Sequence, residues 1–160
     1  MLDGGLPAWQ DASPQVPDRT ERDAVPTWEP VVRSGFWASH DDVLDIVEGR
    51  TVATLVCGLG RDAFTGAAPT RYSRRGHIPG SVNVPARDHI GADGRLRAAA
   101  ELGAPYAELD QRPLVLYCGG GISATLNAFA LAEAGVHDVL VYDGSLEEWS
   151  ADPALPLTGP

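Results

Sequence analysis

The feature that most constrains the fold is the alternation of short apolar strands with helix-forming segments. Three apolar runs, at 51–58, 113–118 and 137–144, are rich in β-branched residues, leucine or tyrosine and lead into glycine-containing turns. A strongly helix-forming segment, 123–135, lies between the last two runs. Strands that are apolar throughout and are separated by helices are typical of a parallel sheet covered on both faces. The sequence therefore predicts an α/β fold whose functional site lies at the carboxyl ends of the strands.

The remaining segments fit the same architecture. Ser39, followed three residues later by Asp42, predicts a capping box at the start of a helix. A turn-rich segment, 74–86, is predicted to contain a short strand around Val82. Two further helices are predicted, one over 94–104 and a short closing one over 145–151.

Length and charge limit the possible functions. A chain of 160 residues suits a single domain. The net charge of −10 argues against binding to nucleic acid or to an anionic membrane, because both need a basic face. No apolar run approaches the roughly 20 residues that span a bilayer, and no secretory signal is seen, so a cytoplasmic location is expected. With only two cysteines, neither a disulfide scaffold nor a cysteine-based zinc site is predicted, and no metal or cofactor is expected.

The segment "LYCGGGISAT" carries the clearest chemical signal. Cys118 ends a predicted strand, Gly119, Gly120 and Gly121 follow it, and a helix begins near Ser123. Consecutive glycines let backbone N–H groups turn inward and form a nest for an anion, and the helix N-terminus adds a positive dipole end. Such surroundings favour the thiolate over the thiol, so the loop predicts a cysteine nucleophile. The alternative is a buried structural cysteine before a glycine turn.

Three motifs carry a family resemblance. "LYCGGGISAT" and "VYDGSLEEW" resemble the active-site loop and closing segment of the rhodanese-like sulfurtransferases, and "RGHIPGSVNVP" resembles their central motif. The resemblance covers residues 31–157. It implies a parallel sheet of about five short strands flanked by helices on both faces. It also implies that Cys118 is the nucleophile. The implied cradle for the sulfur and its donor consists of Gly119, Gly120, Gly121, Ile122 and Ser123.

The resemblance implies an activity without a cofactor. Cys118 would take a sulfane sulfur from a small anionic donor, thiosulfate or 3-mercaptopyruvate, and become a persulfide. It would then pass the sulfur to cyanide, a small thiol or a reduced thiol protein. The neutral loop is closer to the mercaptopyruvate type, but Gly120 stands where that type has serine, so neither subtype fits cleanly. The related cysteine phosphatases have an arginine where this chain has Ala124, which argues against phosphatase chemistry.

The chain departs from the family upstream of the loop. Cys57, Leu59 and Ala63 occupy positions where many relatives carry an acidic residue and two arginines. Arg61 is a candidate to compensate, and Arg71 matches a second donor-binding arginine of the mercaptopyruvate type. These departures keep an alternative open, in which the chain is a weakly active or non-catalytic module that carries sulfur for, or docks onto, a partner protein.

The second cysteine allows a side hypothesis. Cys57 and Cys118 each end a predicted strand, so they could form a resolving disulfide at the site edge. The alternative, that Cys57 is a small apolar residue filling a strand end, is favoured.

The opening stretch "LDGGLPAW" resembles the segment on which the first repeat of tandem sulfurtransferases closes. This implies that residues 1–9 are a remnant of a first repeat, 10–30 a linker and 31–160 the second, catalytic rhodanese domain. Leu6 and Trp9 should then lack their original core, and residues 1–30 should pack on the surface without joining the sheet. Cys118 should be unusually exposed, unless a homodimer or a separate partner covers the open cleft.

Overall fold

A computed structural model describes residues 2–12, 29, 31 and 34–159. Its centre is a sheet of four parallel strands in the spatial order β2-β1-β3-β4. The strands are β1 (Thr54–Cys57), β2 (Val82–Asn83), β3 (Leu114–Tyr117) and β4 (Val139–Val141). The α/β class and the parallel sheet are as predicted. We find no helix in the described part of the chain with the length and apolar character needed to cross a membrane.

The described residues form four strands, where about five were expected. A fifth segment meets the sheet only at Trp37, which forms an isolated parallel bridge with Val141. Ala38 donates to the Val141 carbonyl at 3.0 Å, and Val141 donates to the Phe36 carbonyl at 2.8 Å. The pairing stops there because the Ser39 capping box turns the chain into a helix.

Six α-helices are described. They are α1 (Gly5–Ala12), α2 (His40–Val47), α3 (Arg61–Phe64), α4 (Ala99–Gly103), α5 (Ile122–Glu133) and α6 (Ser145–Trp149). Two short 3₁₀ helices, Ala86–His89 and Ala104–Tyr106, complete the set. The helix predicted over 94–104 is shorter than expected, because residues 90–96 instead form a tight turn closed by a bridge between Ile90 and Leu96.

The two faces of the sheet bury separate apolar clusters, because successive strand side chains point to opposite faces. Helices α2 and α6 cover one face, to which β1 contributes Leu55 and Cys57. Helix α5 covers the other, to which β3 contributes Leu116. Helices therefore flank both faces, as predicted. This layering places the C-terminal end of β3 between two packed layers.

The N-terminal segment lies on the surface of this domain. Helix α1 holds no buried residue, and no residue of 2–12 joins the sheet. Leu6 and Trp9 are 60% and 45% exposed, which agrees with the expectation that they lack a core. One attachment is the Asp3 carboxylate, which accepts a hydrogen bond from the Leu96 N–H at 3.0 Å.

The proposed division into residues 1–9, 10–30 and 31–160 stays a prediction. Residues 10–12 form the last part of α1, so the helix crosses the expected start of the linker. Most of the segment 13–33 lies outside the described residues.

Candidate active site

The glycine-rich loop begins where the sequence places it. Cys118 directly follows β3, and α5 begins at Ile122. Cys118 packs into the apolar cluster on the α5 side of the sheet and is 2% exposed. Because β3 lies in the interior of the four-stranded order, the loop emerges at the centre of the sheet edge. In parallel α/β sheets this edge is where ligands bind.

The loop is tied to the turn between β4 and α6 by a residue that sequence reasoning missed. The Ser145 hydroxyl accepts hydrogen bonds from the N–H groups of Cys118 at 3.1 Å and Gly121 at 3.2 Å. It donates its own proton to the Tyr142 carbonyl at 2.9 Å. Ser145 is fully buried and has a φ of 51°, in the left-handed region that a non-glycine residue rarely adopts. The strained backbone at Ser145 is tolerated because it places the hydroxyl where it makes its three hydrogen bonds, with Cys118, Gly121 and Tyr142.

The signal for Ser145 is its place in "VYDGSLEEW", immediately after a strand and a glycine. The sequence shows that a turn is needed there, but not which backbone groups the hydroxyl reaches. Two backbone bonds reinforce the contact, since Leu146 donates to the Cys118 carbonyl at 3.1 Å and Glu147 donates to the Gly119 carbonyl at 2.8 Å.

The other N–H groups of the loop are free. Those of Gly119, Gly120, Ile122, Ser123 and Ala124 donate no hydrogen bond to any part of the chain that the structure describes. Three of them belong to the first turn of α5, where helical N–H groups have no intrahelical partner. The N-terminus of a helix that also carries free N–H groups favours an anion. The loop can therefore hold a thiolate, a persulfide or a small anion.

Close contacts explain two of the three glycines. A Cβ atom on Gly119 would collide with the Tyr72 hydroxyl, and one on Gly121 would collide with the Asp143 carboxylate. Gly121 also has a φ of 81°, which strains any residue with a side chain.

The expectation that Cys118 is unusually exposed is wrong, because the domain supplies its own cover. Tyr72 lies against Gly119 next to the cysteine. Burial, followed by the proximity of Cys118, raises the pKa of the Tyr72 hydroxyl above its usual value. The cover thus comes from residues of the same domain rather than from a second repeat.

Arg71 lies at the loop, where the resemblance implies a donor-binding arginine. Its Nη2 atom is 2.9 Å from Glu147 Oε2, and both side chains are largely exposed. A Cβ atom on Gly120 would lie 3.2 Å from that nitrogen. Arg61 does not take the same place, because it pairs with Asp88 at 3.1 Å.

The packing of the two cysteines argues against the resolving-disulfide hypothesis. Cys57 is level with Tyr117 on the neighbouring strand and packs on the α2 side of the sheet, whereas Cys118 packs on the α5 side. Side chains on opposite faces cannot be bridged without moving the backbone. Both cysteines are free, and burial raises the pKa of the Cys57 thiol to about 12. Cys57 is therefore an unreactive core residue that fills a strand end.

No group of three histidine, cysteine or carboxylate side chains within the described ranges is arranged to hold a metal ion. What the loop offers is one thiol, several free N–H groups and one guanidinium. This set suits nucleophilic attack on a small anionic molecule.

Comparison with known proteins agrees with this arrangement. A sequence model of the Rhodanese-like domain matches residues 62–152. The chain belongs to the rhodanese-like family. The 3-mercaptopyruvate sulfurtransferase of Escherichia coli (strain K12) is 31% identical, over 98% of this chain and 57% of that protein. Thiosulfate/3-mercaptopyruvate sulfurtransferase 2 of Arabidopsis thaliana is 29% identical, over 99% of this chain and 54% of that protein.

This rhodanese-like chain spans about half the length of the curated relatives it matches. A solved structure of an EanB variant, with ergothioneine covalently linked to a persulfide cysteine, superimposes with a TM-score of 0.83. That similarity has 25% sequence identity and covers 99% of this chain and 41% of the EanB chain.

Proposed function

We propose that the chain is a sulfurtransferase. It moves a sulfane sulfur from thiosulfate or 3-mercaptopyruvate to a thiophilic acceptor, through a persulfide on Cys118. The observation that carries the proposal is the placement of Cys118 in a loop of free N–H groups at the centre of the sheet edge. Its relatives, named as sulfurtransferases, support it.

The first half-reaction needs only the thiolate and a held donor. A lone pair of the Cys118 thiolate forms an S–S bond with the outer sulfur of thiosulfate. The original S–S bond breaks, and its electron pair leaves with sulfite. With 3-mercaptopyruvate, the C–S bond breaks instead, and the thiol proton ends on the carbon of the pyruvate product. In both cases the negative charge stays on the persulfide, where the N–H groups of Gly119, Gly120, Ile122 and Ser123 can stabilise it.

The donor and the thiolate are both negative, so a cation must hold the donor while the sulfur atoms meet. Arg71 is the residue proposed for this role, since its guanidinium lies against the loop at Gly120. A planar guanidinium can donate two parallel hydrogen bonds to a carboxylate or to an oxyanion of sulfur.

In the second half-reaction, the acceptor attacks the outer persulfide sulfur and regenerates the Cys118 thiolate. The acceptor proposed is a thiol or a reduced thiol protein in the cytoplasm. A homodimer or a separate partner that meets this edge of the sheet is also part of the proposal.

The second candidate function is a weakly active or non-catalytic module that docks onto a partner. It is favoured by Cys57, Leu59 and Ala63, which leave no charged side chain where many relatives have three. The low exposure of Cys118 points in the same direction, because a donor must displace part of the cover to reach the thiol.

Intact-protein mass spectrometry distinguishes the two functions. Incubation with thiosulfate or 3-mercaptopyruvate is expected to add one sulfur, about 32 Da, to the intact protein, and digestion is expected to place it on the peptide that contains Cys118. A subsequent excess of cyanide or thiol is expected to remove it. If neither donor adds sulfur to the protein, the sulfurtransferase proposal is wrong.

A further inference from the structure

Glu147 places a negative charge at the entrance to the loop. Its backbone N–H donates to the Gly119 carbonyl, so its position is coupled to that of the loop. Its carboxylate bends back over the loop. Its Oε2 atom is only 2.8 Å from the position that a Cβ atom on Gly120 would occupy. The same oxygen is 2.9 Å from the Arg71 guanidinium. The one arginine against Gly120 is thus paired with an acid before a donor arrives.

The other charges around the loop do not offset Glu147. The Asp143 carboxylate lies against Gly121, and the Glu148 carboxylate accepts from the Tyr142 hydroxyl at 2.6 Å. Arg74 is directed elsewhere, since its guanidinium donates to carbonyl groups of the segment 149–155. With Arg71 paired to Glu147, an approaching anion meets the carboxylates of Glu147 and Asp143 as well as the N–H groups of the loop.

We propose that Glu147 is a specificity-determining residue that selects donors by charge, favouring singly charged donors over doubly charged thiosulfate. This inference rests on the proposed function and names the class of donor for the same site. Repulsion between Glu147 and a donor grows in proportion to the donor's charge, so a dianion is penalised about twice as much as a monoanion in free energy. Arg71 still binds the donor, but only in competition with Glu147.

Two donors of the same chemistry isolate this effect. Thiosulfate and methanethiosulfonate both carry a terminal sulfane sulfur, but thiosulfate bears two negative charges and methanethiosulfonate one. Attack by the Cys118 thiolate breaks the S–S bond in each donor, leaving sulfite or methanesulfinate, and yields the same persulfide. A difference in how the two respond to a substitution therefore reports charge rather than mechanism.

The test is Glu147→Gln in the full chain, with the second-order rate of sulfur loading followed by mass. We expect loading by thiosulfate to rise about tenfold, and loading by methanethiosulfonate and 3-mercaptopyruvate to rise about threefold. The gain should shrink as ionic strength increases, because salt screens charges that are exposed to solvent. A purely structural role for Glu147 would change all three rates alike and would not depend on salt.

Two control variants sharpen the test. Glu147→Asp keeps the charge and should keep the wild-type order of donors. Glu101→Gln on α4 removes the acid of another exposed ion pair, in which Glu101 lies 3.5 Å from Arg97, and should change no rate. An equal change for dianion and monoanion in Glu147→Gln would overturn the inference.

A readout that needs no sulfur transfer separates this inference from the proposed function. Alkylation of Cys118 by iodoacetate, a monoanion, is compared with alkylation by neutral iodoacetamide. In Glu147→Gln the ratio of the two rates should rise about threefold, whether or not any donor loads sulfur. An unchanged ratio would contradict the charge role of Glu147, whereas failed loading with a raised ratio would contradict only the sulfurtransferase activity.

Discussion

Cys118→Ser is expected to abolish sulfur loading, with a fall of at least about 10³-fold in the rate for either donor. A serine hydroxyl at the end of β3 is not ionised at neutral pH and is a poor nucleophile toward sulfur. The substitution changes one atom at a site whose backbone is held by two hydrogen bonds, from the Cys118 N–H to the Ser145 hydroxyl and from the Leu146 N–H to the Cys118 carbonyl, so the fold should be retained. The measurement is intact mass after incubation with donor, together with the urea midpoint of unfolding.

Cys57→Ala is the matched control for this prediction. Cys57 is the second thiol of the chain, but it is fully buried on the other face of the sheet. Its variant should lose some stability, about 1 kcal/mol, and keep its sulfur loading. If loading survived in Cys118→Ser but disappeared in Cys57→Ala, the persulfide would form on Cys57 and the prediction would be wrong.

Ser145→Ala is expected to destabilise the domain by about 2–4 kcal/mol and to slow sulfur loading about 100-fold. The substitution leaves the N–H groups of Cys118 and Gly121 buried without an acceptor. The loop would then lose the side-chain contact that ties it to the turn between β4 and α6. Urea unfolding and the loading rate measure the two effects.

Ser145→Gly separates the hydroxyl from the backbone strain. Glycine adopts a φ of 51° without penalty, so this variant should be about 1 kcal/mol more stable than Ser145→Ala. Both variants lack the hydroxyl and should load sulfur equally slowly. If Ser145→Gly loaded sulfur at the wild-type rate, the hydroxyl would not be what organises the loop.

Much of the fold could be predicted because its signals are local. The apolar runs around β1, β3 and β4, and the capping box of Ser39 and Asp42, depend on neighbouring residues. The length of the helix over 94–104 was overestimated. A turn over 90–96 competes with the helix there, and the Leu96 N–H donates to the distant Asp3 carboxylate.

The candidate site was predictable only along its own loop. Three glycines between a strand and a helix suffice to suggest an anion nest around Cys118, and the family resemblance adds Arg71. The tether from Ser145, the cover by Tyr72 and the pairing of Arg71 with Glu147 join segments that lie 27, 47 and 76 residues apart. Sequence spacing does not reveal such pairs, because they meet only once the sheet brings its strand ends together.

The sequence by itself determined the layered α/β architecture and the chemical group at its centre, since alternating apolar strands and a cysteine before glycines leave few other solutions. The tertiary structure alone decided how exposed that cysteine is and what charge surrounds the loop. Burial and electrostatic surroundings are properties of residues gathered in space. In this chain the turn after β4 and the segment at 71–72 supply them, and neither is a neighbour of Cys118 in sequence.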